Sequence, residues 1–237
     1  MARIGMLTPS SNIALEPATY GLLAPMPEVT AHFSRFPVTE IALSSDALGQ
    51  FQQTPILAAA ELLAHAKVDV IAWNGTSATW LGFATDEALA QSILTATGIP
   101  ATTAILGLNT LLRRMGVRRL GLVTPYTDDV QAKIVANYEA AGFTCCGERH
   151  AGLRDNFSFA EVPAADIEAM IVEVAAEKPD AIGIICTNMD ASRLAPEIEA
   201  RLGIPVLDSI ACTLWSALDT LHIDKSPLHG AGMMFRF

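Results

Sequence analysis

Only a few residues of this sequence have the chemistry for proton transfer or nucleophilic attack, and they stand in short polar runs. Cys186 opens Cys186-Thr187-Asn188, and Asn74 is followed by Gly75-Thr76-Ser77. Tyr126 sits in Thr124-Pro125-Tyr126-Thr127-Asp128, Asn12 ends Thr8-Pro9-Ser10-Ser11-Asn12, and Asn156 lies in Arg154-Asp155-Asn156-Phe157-Ser158. A free thiol has a pKa of about 8.5, so Cys186 is mostly protonated at neutral pH and can serve as an acid. Hydroxyls and backbone N–H groups at a helix start can meet a developing oxyanion. Each group also has an ordinary explanation. Cysteine is among the most buried residue types, Thr, Ser and Asn cap helices, and Tyr126 follows a proline as a turn residue would. Five histidines (32, 65, 150, 222, 229) lack paired spacing, and Cys145, Cys146 and Cys212 lack metal-site spacing. Asp128-Asp129 opens a helix, where carboxylates favour the dipole. No glycine-rich phosphate cradle follows a strand. The chemistry therefore calls for no cofactor and no metal.

These residues must be held by an alternating scaffold. Apolar runs at 3–7, 29–35, 69–73, 101–104, 119–123, 143–147, 181–185 and 204–207 read as strands. Amphipathic stretches at 55–66, 86–97, 104–115, 128–141, 164–177 and 191–202 read as crossover helices. The chain also repeats itself. Arg3-Ile-Gly-Met-Leu-Thr-Pro9 matches Arg119-Leu-Gly-Leu-Val-Thr-Pro125, Asp69–Thr76 matches Asp180–Thr187, and Thr97-Gly-Ile-Pro100 matches Leu202-Gly-Ile-Pro205. Three collinear matches imply two similar parallel-sheet α/β halves related by a pseudo-two-fold axis. The expected division is 1–115, with 212–237 packing back on it, and 116–211. Open parallel sheets place sites at the carboxyl ends of their strands. The polar loops therefore line one cleft between the halves, with Gly75 and Cys186 at equivalent points on opposite walls.

Composition narrows the partners. Of 237 residues, 51% are hydrophobic and 17% charged, enough for a large core. The net charge of −10, with only the pairs Arg113-Arg114 and Arg118-Arg119 as basic clusters, argues against nucleic acid. No run is long enough for a membrane span, and Met1-Ala2-Arg3 leads into too short an apolar stretch for a signal. A reduced, cytoplasmic protein with no membrane partner is expected. The partner is a small mono- or dicarboxylate, and a homo-oligomer is left open.

Two homologous halves presenting loops at equivalent positions make the chain resemble the aspartate/glutamate racemase superfamily over essentially its whole length. One branch, arylmalonate decarboxylase, is similar in having glycine at the first position, Gly75-Thr76-Ser77, a single cysteine at the second, Cys186, and a tyrosine closely followed by paired aspartates, Tyr126-Thr127-Asp128-Asp129. By that resemblance Thr76, Ser77 and Tyr126 form a hole for enediolate oxygens and Cys186 delivers the proton. A second branch, maleate cis-trans isomerase, resembles Pro9-Ser10-Ser11-Asn12, Tyr126, Asp155-Asn156 and Cys186-Thr187-Asn188. Carried over, Asn12 and Asn156 hold a substrate carboxylate beside Thr187. The chain departs from that branch at Gly75, where the isomerase has its nucleophilic cysteine.

Adding to and rotating a double bond needs a nucleophile, and racemising needs an acid or base on each face. Glycine supplies neither. Decarboxylating a substituted malonate needs only a stabilised enediolate and one proton, so a cofactor-independent decarboxylase is the expected activity. An isomerase or racemase is the alternative, and a non-catalytic carboxylate-binding protein is another. On this reading a cysteine placed at position 75 would face Cys186, and activity would decline as pH passes the thiol pKa, around 8.5 if unperturbed. Phe33, Phe36, Leu43, Phe157, Phe159, Val162 and Met189 are candidate pocket walls that core packing would explain equally well.

Overall fold

The apolar runs become eight parallel strands in a computed structural model that describes residues 1–43 and 53–237. The first half contains β1 (Ala2–Pro9), α1 (Leu15–Leu23), β2 (Val29–Phe36), α2 (Gln53–His65), β3 (Val70–Trp73), α3 (Ala78–Leu81), α4 (Ala84–Thr97), β4 (Ala101–Thr103) and α5 (Ala104–Arg114). The second contains β5 (Arg119–Thr124), α6 (Asp128–Ala140), β6 (Thr144–His150), α7 (Ala164–Ala175), β7 (Ala181–Ile184), α8 (Ala195–Leu202), β8 (Val206–Asp208) and α9 (Ser209–Thr220), with short 3-10 turns at Phe157–Glu161, Ser226–Ala231 and Met233–Arg236. The sheets run β2-β1-β3-β4 and β6-β5-β7-β8. Every residue of β3 and β7 is buried, as expected of central parallel strands covered on both faces.

The repeat holds to the residue. Ile4 pairs with Val70 as Leu120 pairs with Ala181, and Ile71 pairs with Ala101 as Ile182 pairs with Val206. The carboxylate of Asp69 accepts from Arg3 N at 2.7 Å, and that of Asp180 accepts from Arg119 N at 2.8 Å. These are the residues matched in the sequence. The fold is thus the α/β pair of parallel-sheet halves expected from the pattern.

Helices α1, α3 and α9 were not among the helical stretches read from periodicity, and α8 begins at Ala195 rather than 191. Helix α9 is almost wholly buried. It packs on α5, β3 and β4 of the first half. The α5 and α9 backbones come close because Gly107 has no side chain: a Cβ there would lie 2.7 Å from Cys212 O.

Two buried acids, Asp86 and Asp208, are raised by burial, and Asp86 gives a pH dependence of stability that can be tested. Asp86, on α4, is 2% exposed and accepts a hydrogen bond from the Thr103 hydroxyl. Burial pushes its carboxyl up to about 7. A folded pKa above the unfolded value of about 3.9 stabilises the fold fully below that value, and the contribution is lost as pH rises through 7. The melting temperature should therefore fall between pH 5 and pH 8, by about 2–4 °C per kcal/mol for a chain of this size. Asp86→Asn should flatten that slope. An unchanged slope in scanning calorimetry would show that Asp86 is ionised throughout.

Candidate active site

The carboxyl ends of β1, β3, β5 and β7 converge on a small cavity lined by Pro9, Val38, Ile41, Trp73, Asn74, Gly75, Thr76, Ser77, Trp80, Tyr126, Asn156, Cys186 and Thr187. The free space is about 20 Å³, room for a single water. Among the described residues that line it, none has a charged side chain. Any carboxylate held here must rely on neutral donors.

Cys186 lies two residues beyond the end of β7 and is 3% exposed. Its Sγ accepts from Asn188 N at 3.3 Å. Burial pushes the thiol up to about 12, and the N–H groups of Asn188 and Met189 and the Tyr126 hydroxyl offset this only in part. Cys186 is therefore a thiol across the neutral and mildly alkaline range. The decline near pH 8.5 expected for an unperturbed thiol moves up accordingly, because water no longer solvates the thiolate.

Tyr126 comes from the loop after β5 and reaches across to the first half. Its Oη lies 2.7 Å from Thr76 Oγ1 in a hydrogen bond. Its ring is held edge-on by Trp80 and Phe159, at centroid distances of 5.2 and 5.4 Å. Burial raises its pKa well above the ordinary phenol value, so it remains a donor. Ser77 precedes the one-turn helix α3 but makes no side-chain cap, which leaves its hydroxyl available in the cavity.

The loops are wired together behind these groups. Thr187 Oγ1 donates to Asn74 O at 2.9 Å. Asn188 Oδ1 accepts from Ile13 N and Ala14 N, at 2.9 and 3.2 Å, and its Nδ2 donates to Asn156 O at 2.5 Å. Asn156 Nδ2 donates to Ser11 Oγ at 2.7 Å. Asn12 does not line the cavity. Its Nδ2 donates to Thr187 O at 2.9 Å, and its Oδ1 caps the start of α1 through Ala14 N and Leu15 N. Asn12 is thus a brace between the halves, with no amide hydrogen aimed at the cavity by these contacts. Asp208 ties down the far end of the cysteine loop, accepting from Ala191 N at 3.1 Å while capping α9. Burial and the neighbouring Asp190 raise its pKa.

The first-half wall differs from the sequence expectation. Gly75 stands opposite Cys186 in the repeat, but a Cβ at Gly75 would overlap Cζ2 and Cε2 of the Trp73 indole. The indole already fills the volume that a side chain at 75 would use. Of the aromatic and aliphatic walls considered from sequence, Phe36 packs on Trp73 at 5.0 Å, Phe159 packs on Tyr126, Met189 is buried outside the lining, and Phe157 is 44% exposed. Phe33, Leu43 and Val162 are partly buried against the core. None of the seven lines the cavity; Val38, Ile41, Trp73 and Trp80 do. The repeat offered one clue, since it aligns Trp73 with the much smaller Ile184.

Comparison with known proteins adds four findings. A model of the arylmalonate decarboxylase family matches residues 16–235. Arylmalonate decarboxylase of Bordetella bronchiseptica is 33% identical over 169 residues, covering 70% of each chain. Maleate isomerase of Nocardia farcinica is 27% identical over 241 residues, covering 99% of this chain and 95% of the relative. The solved structure of the Nocardia farcinica maleate cis-trans isomerase bound to TRIS superposes with a TM-score of 0.89 at 26% identity, over 100% of this chain and 98% of that one.

Proposed function

The chain belongs to the arylmalonate decarboxylase family, and from that membership we propose that it is a cofactor-independent decarboxylase of substituted malonates. The observation that carries this reading is the single sulfur at the site: Cys186 lines one wall, and the Trp73 indole closes the other over Gly75. One acid on one face suffices for decarboxylation.

A malonate exceeds the about 20 Å³ of free space, so the proposed reaction requires the cavity walls to move apart on binding; one carboxylate then takes hydrogen bonds from Thr76, Ser77 and Tyr126. The second lies against Val38, Ile41 and Trp80, where its charge is poorly solvated and its loss as neutral CO₂ is favoured. The C–CO₂ bond breaks, its electron pair passes into an enediolate on the retained carboxylate, and the hydroxyl donors stabilise the new charge. Cys186 Sγ–H then protonates the α-carbon, the product acid leaves, and solvent reprotonates the thiolate. A thiol raised to about 12 by burial suits the acid's part and is a poor thiolate nucleophile at neutral pH.

Thr76→Ala, Ser77→Ala and Tyr126→Phe should each lower kcat far more than they raise KM, since the charge they meet develops in the transition state. Loss of one such donor typically costs about 10²–10³ in kcat. Effects confined to KM in steady-state kinetics would assign these hydroxyls to ground-state binding.

A second reading, maleate cis-trans isomerisation, is favoured by the near-complete coverage of the maleate isomerase relative. It requires Cys186 alone to add to a double bond. Incubation with methyl- and phenylmalonate and with maleate separates the two: CO₂ release supports the decarboxylase, fumarate the isomerase. Ligand binding without turnover of any of them would point to a carboxylate-binding protein.

A further inference from the structure

Both polar atoms of the Asn188 side chain bond to segments distant in sequence, and the residue is 1% exposed. Its Oδ1 accepts from Ile13 N and Ala14 N, at 2.9 and 3.2 Å, where the first half enters α1, and its Nδ2 donates to Asn156 O at 2.5 Å. Two N–H groups need an acceptor and a carbonyl needs a donor, so these partners fix which way the amide points. The backbone N–H of the same residue donates to Cys186 Sγ at 3.3 Å. One residue thus joins the sulfur to the loop after β1 and to the loop before the 3-10 turn at Phe157.

The fold does not demand this bridge. Asn188 matches Ser77 in the repeat, and the Ser77 side chain makes no cap on its own helix. Other contacts hold the cysteine loop on either side. Thr187 is tied to Asn74 O and to Asn12 Nδ2, and Ala191 N donates to Asp208. Asn188 holds the stretch between them, two residues from the sulfur. A proton donor must lie within hydrogen-bond reach of the atom it protonates, and a misplacement of about 1 Å can cost about 10²-fold in rate.

We propose that Asn188 is a positioning residue for the acid: by fastening the cysteine loop to the first half, it fixes Cys186 Sγ against one face of the enediolate and makes proton delivery both fast and one-sided. The inference rests on the decarboxylase reading for its effect on turnover, and on the hydrogen bonds alone for the placement of the sulfur.

The test is a series of wild type, Asn188→Asp and Asn188→Ser, the last copying the residue that the first half uses at this register. Decarboxylation is measured on a malonate carrying one methyl and one phenyl group on the same carbon, because its product acid is chiral. Labelling of each cysteine by N-ethylmaleimide is followed by peptide mass spectrometry. Asn188→Ser should lower kcat by about 10²-fold with KM little changed. Its product should also lose enantiomeric purity, since solvent competes once the thiol is slow to deliver. Labelling of Cys186 should speed up by about tenfold or more as the loop opens, while Cys212, buried on α9, keeps its wild-type rate. Asn188→Asp keeps the acceptor for Ile13 N and Ala14 N but loses the donor to Asn156 O, so it should fall between, and it decides the matter if the serine variant does not fold. Unchanged kcat and enantiomeric purity in the folded variants overturn the proposal. Equal acceleration of labelling at Cys186 and Cys212 also overturns it, since that marks general loosening. If wild type releases no CO₂, the decarboxylase reading fails by itself. Labelling then decides: acceleration confined to Cys186 upholds the positioning role, and its absence overturns it.

Discussion

Replacing Cys186 with alanine is expected to lower kcat by about 10²–10⁴, the usual contribution of a positioned proton donor, while the fold persists. The side chain is small, and although its sulfur accepts from Asn188 N, the loop is held otherwise by hydrogen bonds that do not involve sulfur, notably Asn188 to Ile13, Ala14 and Asn156. Cys186→Ser should be nearly as poor, because an alcohol is a weaker acid than a thiol. The pH profile of the native protein gives an independent check. With the thiol raised to about 12 by burial, the acid stays protonated through the alkaline range in which the protein remains folded. Activity should therefore persist beyond pH 9. A decline centred near 8.5 that vanishes in no other variant would show an ordinary, solvated thiol and a more open site. Retention of most activity in Cys186→Ala would falsify the proposed role outright.

The second large effect is expected at Gly75. Repeat symmetry alone suggests that Gly75→Cys adds a thiol opposite Cys186 and so creates a racemase. The packing around Trp73 leads to a different result. The new Cβ meets the buried indole, which Phe36 backs. Overpacking of this kind costs typically about 1–3 kcal/mol and occasionally more, equivalent to roughly 2–4 °C in melting temperature for each kcal/mol. Gly75→Cys alone should thus melt lower and show no racemisation of the product acid. Combined with Trp73→Ile, it should regain stability and gain racemisation, since the space for the second thiol is then present. Chiral chromatography of the product and a thermal melt read both effects. Racemisation by the single variant, at unchanged stability, would show that the indole moves aside freely.

These two positions also mark what each level of description decides. The strands, the two halves and the meeting of the Thr76, Tyr126 and Cys186 loops were all legible from apolar periodicity and from three repeated segments. Such information is local: a strand is recorded in its own residues, and a repeat records where its copies must sit. The contacts of Asn12 and the place of the Trp73 ring were not legible in this way. Asn12 is drawn as a possible carboxylate ligand by its loop and by family resemblance, yet its amide is taken by Thr187 O and by the start of α1, partners 175 and 2 residues away. Trp73 looks like any apolar strand residue until the fold brings its ring over Gly75. The raised pKa of Cys186 likewise depends on how completely water is excluded from around it. Sequence pattern determines which elements form and which loops face each other. Competition of side chains for one volume, for one hydrogen-bond donor and for water is settled only when distant segments meet, so the tertiary structure alone decided the wall opposite the thiol.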